Sequence, residues 1–265
     1  MGLLEAIILG IIQGLTEFLP VSSSGHLEIG SVLLNIHTSD GLLFTVVVHA
    51  ATALSTIIVF RKDLVSLITE FFKFKWNESV DFVLKVIISM IPIGIVGVFF
   101  EEEVERLFTG NLMLVGSMLL LTAILLAFTH LVRHREGTAV KYWQAIVIGI
   151  AQAIAILPGI SRSGATIATA LLIGVNKERA ARFSFLMVLV PILGASLLKL
   201  LDYMEQPAVE NETSGLVLFM GFLMAFIAGL IACKLMINIV KKGKLIYFAI
   251  YCAAVGLIAI VSQLI

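Results

Sequence analysis

The sequence predicts an all-α integral membrane protein with six transmembrane helices and two re-entrant helical hairpins in an inverted-topology repeat. Three observations carry that expectation. The chain of 265 residues is 60% hydrophobic and 14% charged, with a mean hydropathy of +1.08, whereas a soluble domain is about 45–50% apolar and about 25% charged. Two apolar stretches run into a proline break before they are long enough to cross a bilayer. The second of these stretches repeats the first at a fixed offset.

Taken in order, residues 3–19 are apolar and helical in pattern but carry Gln13 and Glu17, and Pro20 then interrupts the helix. Ser22–Gly25 reads as a loop, and Leu27–Ile36 is half the length of a span, which needs about 20 residues. Residues 3–36 therefore read as a hairpin that enters the membrane, breaks at mid-depth and returns. Non-helical backbone at that depth must be buried in protein or line a wet cavity. The next span is Leu42–Phe60. Arg61–Asp81 mixes Phe71, Phe72, Phe74 and Trp76 with lysines and reads as interfacial. Phe82–Phe100 and Leu112–Val132 are spans, with Lys85 able to snorkel, and an acidic link, E-E-E-V-E-R, lies between them. Ala145–Leu157 and Ala165–Ile173 form a second hairpin around another proline break. Phe183–Leu201, Gly215–Val240 and Leu245–Ile265 complete the chain. The first segment has Glu5 and no basic residue ahead of its apolar run, so it reads as retained rather than as a signal peptide. Cys233 and Cys252 lie in apolar runs without metal spacing and read as packing residues.

The links test this layout. A hairpin does not cross, so links alternate sides at each of six spans. One side collects thirteen Lys and Arg, and the other holds Arg106 alone among many acidic residues. The positive-inside rule makes the basic side cytoplasmic. Both termini then face outward, the first hairpin enters from outside, and the second enters from the cytoplasm. The zero formal net charge gives no sign of a nucleic-acid partner.

A shift of 139 residues places Ala6, Ile7, Gly10, Ile11, Gln13, Ser22, Ser24 and Gly25 on Ala145, Ile146, Gly149, Ile150, Gln152, Ser161, Ser163 and Gly164, and Phe44 on Phe183. Each half (1–138 and 139–265 of a single membrane domain, 1–265) is one hairpin plus three spans. An odd number of crossings gives the halves opposite orientations. Broken helices of such repeats meet near the midplane.

Each returning helix starts at its break, so its free N–H groups and positive dipole end point into the protein. Two such ends make an anion site. Ser22, Ser23, Ser24, Ser161, Ser163 and Thr166 add hydroxyls, while Gly25, Gly159 and Gly164 belong to the same turns. Arg162 adds a permanent cation whose fork suits phosphate oxygens. Its burial costs about 2.5–3.5 kcal/mol on insertion scales, so it requires an anionic partner, either a ligand or Glu17. Gln13 and Glu17, one turn apart, offer hard oxygens to Mg²⁺ or Ca²⁺, with phosphate oxygens completing the shell. His26 lies three and four residues after Ser23 and Ser22, which permits a serine nucleophile with a histidine base or direct attack by the histidine. His49, in mid-span, reads as a packing residue. His37, His130 and His134 carry no signal.

G-I-I-Q-G-L-T-E-F-L-P-V-S-S-S-G-H (residues 10–26) and L-P-G-I-S-R-S-G-A-T (157–166) resemble the bacterial undecaprenyl-diphosphate phosphatase family, also called the bacitracin-resistance protein family. The likeness in span number and spacing covers essentially the whole chain. The family's first motif takes Glu or Gln and then Glu four residues on, which here are Gln13 and Glu17; Gln leaves one fewer charged metal ligand. Its serines and histidine fall on Ser22, Ser23, Ser24 and His26. Its arginine motif falls on Pro158, Gly159, Ser161, Arg162, Ser163 and Thr166. The resemblance implies a multi-pass enzyme of the bacterial cell membrane. It would hydrolyse a polyprenyl diphosphate lipid, recycling the carrier for peptidoglycan synthesis and countering bacitracin. The combined expectation has catalytic Glu17, Ser23, His26 and Arg162, a divalent cation on Gln13 and Glu17, and a site open to the outer side. Ser23 attacks after activation by His26. A homodimer is left open. A lipid-phosphate transporter would share the broken-helix repeat but has no need of His26 beside the serines.

Overall fold

The computed structural model describes residues 1–36, 42–108, 110–131, 139–205 and 214–264. Among these residues the chain is all-helical, without strands. The helices are α1 (Leu3–Phe18), α2 (Ser23–Leu33), α3 (Leu42–Val59), α4 (Arg61–Phe71), α5 (Glu78–Phe99), α6 (Glu101–Glu105), α7 (Leu112–Leu131), α8 (Tyr142–Ile154), α9 (Arg162–Leu172), α10 (Lys177–Glu205), α11 (Gly215–Lys242) and α12 (Ile246–Val261). Helices dominate because a chain this apolar must satisfy its backbone groups internally.

Four of the described helices, α5, α7, α10 and α11, are long and apolar enough to cross a membrane. Helices α3 and α4, bent by 76° at Phe60, make a fifth if taken as one span. The expected last span forms as α12, a 16-residue apolar helix that is short for a full crossing. The proline breaks fall where the pattern places them, but both returning helices start earlier than their apolar runs. Ser22 and Ser161 act as N-caps and recruit the following polar residues into the first turn. Thus Ser22–Gly25 is a cap and first turn rather than a loop, and α9 begins at Arg162 rather than Ala165. Similarly, α5 begins four residues before Phe82 because Asn77 caps it, its side chain accepting from the Val80 amide. The acidic link contains the short helix α6. Lys85 is buried and pairs with Asp81 one turn earlier, toward the start of α5. Residues 37–41, 132–138 and 206–213, which carry part of the charge asymmetry, together with His37, His134, Val132 and Ile265, lie outside the described residues.

Helix contacts follow a reciprocal pattern. Helix α1 packs along α11 and α8 packs along α5, while α7 lies on α12 and α3 lies on α10. The glycines at the first two crossings are Gly10 and Gly149, positions related by the 139-residue offset. A Cβ on Gly10 would strike the backbone oxygen of Gly221, and one on Gly149 that of Ser89. The same offset relates further pairs. Gly25 abuts Gly159 and Gly164 abuts Pro20, where the two hairpin tips cross. Phe44 and Phe183 are both in the core, at 2% and 0% exposure. Gln13 and Gln152 are both fully buried, and each leaves its Oε1 without a hydrogen-bond partner.

Candidate active site

The site is the crossing of the two hairpin tips. In the first tip, Leu19 is extended (φ −69°, ψ 141°), as a residue before proline prefers, and α1 ends there. Ser22 follows at φ 72°, a left-handed value that a serine holds only under constraint from its surroundings. Its Oγ accepts from the Gly25 amide at 3.2 Å. In the second tip Gly159 sits at φ 96° with its α-carbon against the Val115 carbonyl of α7, where a side chain cannot fit. Ser161 Oγ accepts from the Gly164 amide at 3.0 Å. The caps use the third amide of each helix. The first two amides of α2 and of α9 keep no acceptor within their own helix, so both positive ends face the crossing.

Glu17 is the hub. It is buried, and its two oxygens collect donors from three elements, with a fourth close by. Oε2 accepts from Gln13 Nε2 at 2.9 Å and from Ser23 Oγ at 2.7 Å; Oε1 accepts from Arg162 Nη2 at 3.1 Å. His49 Nε2 of α3 lies 3.8 Å from Oε2. Burying a carboxylate in an apolar bundle is costly unless it is paired and hydrogen-bonded, and here it is both. The expected face shared by Gln13 and Glu17 is present, as is the anionic partner that Arg162 requires.

Other residues sit differently from the sequence expectation. Ser23 is bonded to Glu17, not to His26. The His26 ring spends Nδ1 on the Ser22 carbonyl at 2.9 Å and Nε2 on the Tyr251 hydroxyl at 2.8 Å. The residue after an N-cap turns its side chain back along the helix it follows, toward Glu17, whereas position 26 lies around the helix toward α12. Thr166 is fully buried. Its hydroxyl bonds to the Arg162 and Ser163 carbonyls and to Ser184 of α10, away from the crossing. Ser163 donates to the Leu19 carbonyl at 3.2 Å and so ties the two tips together. Gly25, Gly159 and Gly164 allow the tips to approach, and Ser24 stays near Ser22 at 3.3 Å.

Two residues were missed. His49 is not a simple packing residue, because it faces Glu17; an ionisable ring at mid-span is itself a functional signal. Tyr251 gave no signal, since a tyrosine in an apolar run matches any span. A small cavity of about 10 Å³, close to the size of one water, lies against Glu17, Thr56, Ser163 and α10.

Among the described residues no group of three His, Cys, Asp or Glu could hold a metal. The oxygens that are present still suit a hard cation. Gln13 Oε1 is buried without a partner beside the Glu17 carboxylate, so a site built here needs oxygens from a ligand to complete it.

The sequence matches the family described as "Bacitracin resistance protein BacA" over residues 6–258. An undecaprenyl-diphosphatase of Bacteroides thetaiotaomicron is 55% identical over 264 residues, covering 100% of both chains. One from Christiangramia forsetii is 55% identical over 263 residues, covering 98% of each. One from Methanosphaera stadtmanae is 37% identical over an alignment of 284 residues that covers 100% of this chain and 99% of the relative. With the match spanning nearly the whole chain and both hairpin tips inside it, this chain belongs to the BacA bacitracin-resistance family.

Proposed function

We propose that this membrane protein hydrolyses undecaprenyl diphosphate to undecaprenyl phosphate and inorganic phosphate, which recycles the lipid carrier for cell-wall synthesis and confers bacitracin resistance. One observation carries the chemistry. A serine hydroxyl is hydrogen-bonded to a buried carboxylate, which is itself bonded to an arginine, between two helix N-termini. Family membership and the relatives' activity support the same reading.

The diphosphate sits between the N-termini of α2 and α9, with its polyprenyl tail in lipid. Arg162 exchanges part of its hold on Glu17 for phosphate oxygens. Ser23 Oγ attacks the terminal phosphorus as its proton passes to Glu17 Oε2. The bond from that phosphorus to the bridging oxygen breaks, and undecaprenyl phosphate leaves. Water then attacks the phosphoserine, with His26 Nε2 exchanging its bond to Tyr251 for the water's proton; the bond from phosphorus to Ser23 Oγ breaks, Glu17 returns its proton to Oγ, and inorganic phosphate is released. Glu17 as the acceptor for Ser23 replaces the expected Ser23–His26 pair, because Glu17 is the group within hydrogen-bond reach. A divalent cation, Mg²⁺ or Ca²⁺, held by Glu17 and the free Oε1 of Gln13, would neutralise phosphate charge.

The finer architecture belongs to the same reading. It is six spans and two re-entrant hairpins as inverted halves, with termini and site facing outward. The matched contacts of Gly10 and Gly149, and of Gly25 and Gly164, support it. The test is phosphate release from undecaprenyl diphosphate by the purified protein, with and without EDTA. Ser23→Ala, His26→Ala and Arg162→Ala should each abolish turnover in folded protein. Lipid binding without release by the wild type would instead favour a carrier.

A further inference from the structure

Tyr251 lies on α12, 225 positions from His26, and no element of the two hairpin tips includes it. Its hydroxyl is 2.8 Å from His26 Nε2, and the two rings are stacked with centroids 5.6 Å apart and planes 12° from parallel. Helix α12 is fixed against the first tip by the neighbouring residue, as Cys252 Sγ donates to the Pro20 carbonyl at 3.6 Å. That bond sets α12 beside the first tip, within reach of His26.

The other ring nitrogen supplies the chemical argument. Nδ1 faces the Ser22 carbonyl, which can only accept, so Nδ1 carries the hydrogen. Neutral His26 then presents a lone pair at Nε2, the nitrogen any base or nucleophile role must use. A phenol both donates and accepts. Tyr251 can donate to that lone pair, and after Nε2 gains a proton it can accept from it. One residue thus holds the ring in both states of a proton-transfer cycle. Phenylalanine would keep the stacking and lose the bond.

We infer that Tyr251 is the positioning residue for His26, holding its ring orientation and its Nδ1–H tautomer beside the hairpin tips. This rests on the phosphatase reading. Losing one neutral hydrogen bond that matters only for orientation costs roughly tenfold in turnover.

The experiment is steady-state phosphate release from undecaprenyl diphosphate by wild type, Tyr251→Phe and Tyr251→Leu, with thermal melting of each in detergent. The expected result is a roughly tenfold fall in kcat for Tyr251→Phe, with KM within about twofold and an unchanged melting temperature. Tyr251→Leu should be about as slow as Tyr251→Phe. A purely structural tyrosine gives the opposite pattern, with Phe active and Leu impaired, and that overturns the inference. So does a raised KM with kcat intact, which would make Tyr251 a lipid contact. If the wild type itself releases no phosphate, the phosphatase reading falls; if it does and Tyr251→Phe matches it, only the role of Tyr251 falls.

Discussion

Arg162 and Glu17, 145 positions apart in sequence, meet with Arg162 Nη2 donating to Glu17 Oε1 at 3.1 Å. The bond joins the first turn of α9 to the last turn of α1, and so one hairpin tip to the other. Removing one partner of a buried pair leaves the other charge uncompensated and costs about 3–5 kcal/mol. Arg162→Met should therefore lower the melting temperature as well as abolish phosphate release. Adding Glu17→Gln should restore much of the stability, because no charge is then stranded, while leaving the protein inactive. Melting curves of the wild type, both single variants and the double variant check this. An additive double variant would mean that the pair has no structural role.

The 2.7 Å bond from Ser23 Oγ to Glu17 Oε2 assigns the two phosphoryl-transfer steps to different groups. In His26→Ala the first step should proceed and the second stall. One equivalent of undecaprenyl phosphate would appear per protein, and an acid-stable phosphoserine would accumulate at position 23. Ser23→Ala should form no phosphoenzyme. Labelling with substrate carrying ³²P in the terminal phosphate, followed by acid and alkali treatment, distinguishes these outcomes. An acid-labile phosphate on His26 in the Ser23→Ala protein would move the nucleophile to the histidine.

Much of this arrangement is legible from short-range signals. Pro20 and Pro158 stop helices by lacking an N–H, and that is a local property. The S-x-S-G spacing that gives each returning helix its cap, Ser22 to Gly25 and Ser161 to Gly164, is local as well. The offset that pairs Gly10 with Gly149 could be read without knowing which helix either one meets. What stayed hidden depends on contacts between distant segments. Nothing near Tyr251 in the chain shows that α12 runs past His26, and nothing near His49 shows that α3 runs past Glu17. The Ser23–His26 expectation failed differently. Spacing of three residues places two side chains on neighbouring faces, but the N-cap geometry at Ser22 rotates Ser23 toward α1. Thr166 looked like a site hydroxyl by proximity to Arg162, yet one helical turn carries it to the α10 side.

Gln13 gives a test of the cation. Its Oε1 is buried without a partner while its Nε2 is spent on Glu17. Gln13→Glu exchanges a neutral oxygen ligand for a charged one and should tighten divalent-cation binding by about tenfold or more. Gln13→Met removes the ligand and should raise the cation concentration needed for half-maximal phosphate release. Titration of Mg²⁺ and Ca²⁺ by calorimetry, alongside activity, measures both. Equal affinities in all three proteins would place the cation elsewhere or remove it from the site.

The glycine pair related by the 139-residue offset predicts a graded stability series. At Gly10 an added methyl meets the Gly221 carbonyl, and at Gly149 the Ser89 carbonyl, so in both cases the obstruction is backbone, which cannot rotate away. Helices α1 and α11, or α8 and α5, would have to separate along their length, and overpacking of this kind costs about 1–3 kcal/mol. Gly94 and Gly97 lie on α5 with nothing within 4 Å of an added Cβ. There alanine removes only the flexibility penalty of glycine and should be neutral or slightly stabilising. Gly10→Ala and Gly149→Ala should thus melt several degrees lower than wild type, and Gly94→Ala no lower. Because α1 and α8 end at the two breaks, the first two variants should also lose activity in proportion to how far the tips are displaced. Equal melting temperatures for all the variants would mean that the crossings yield, and the positions of Glu17 and Arg162 would then not depend on these glycines.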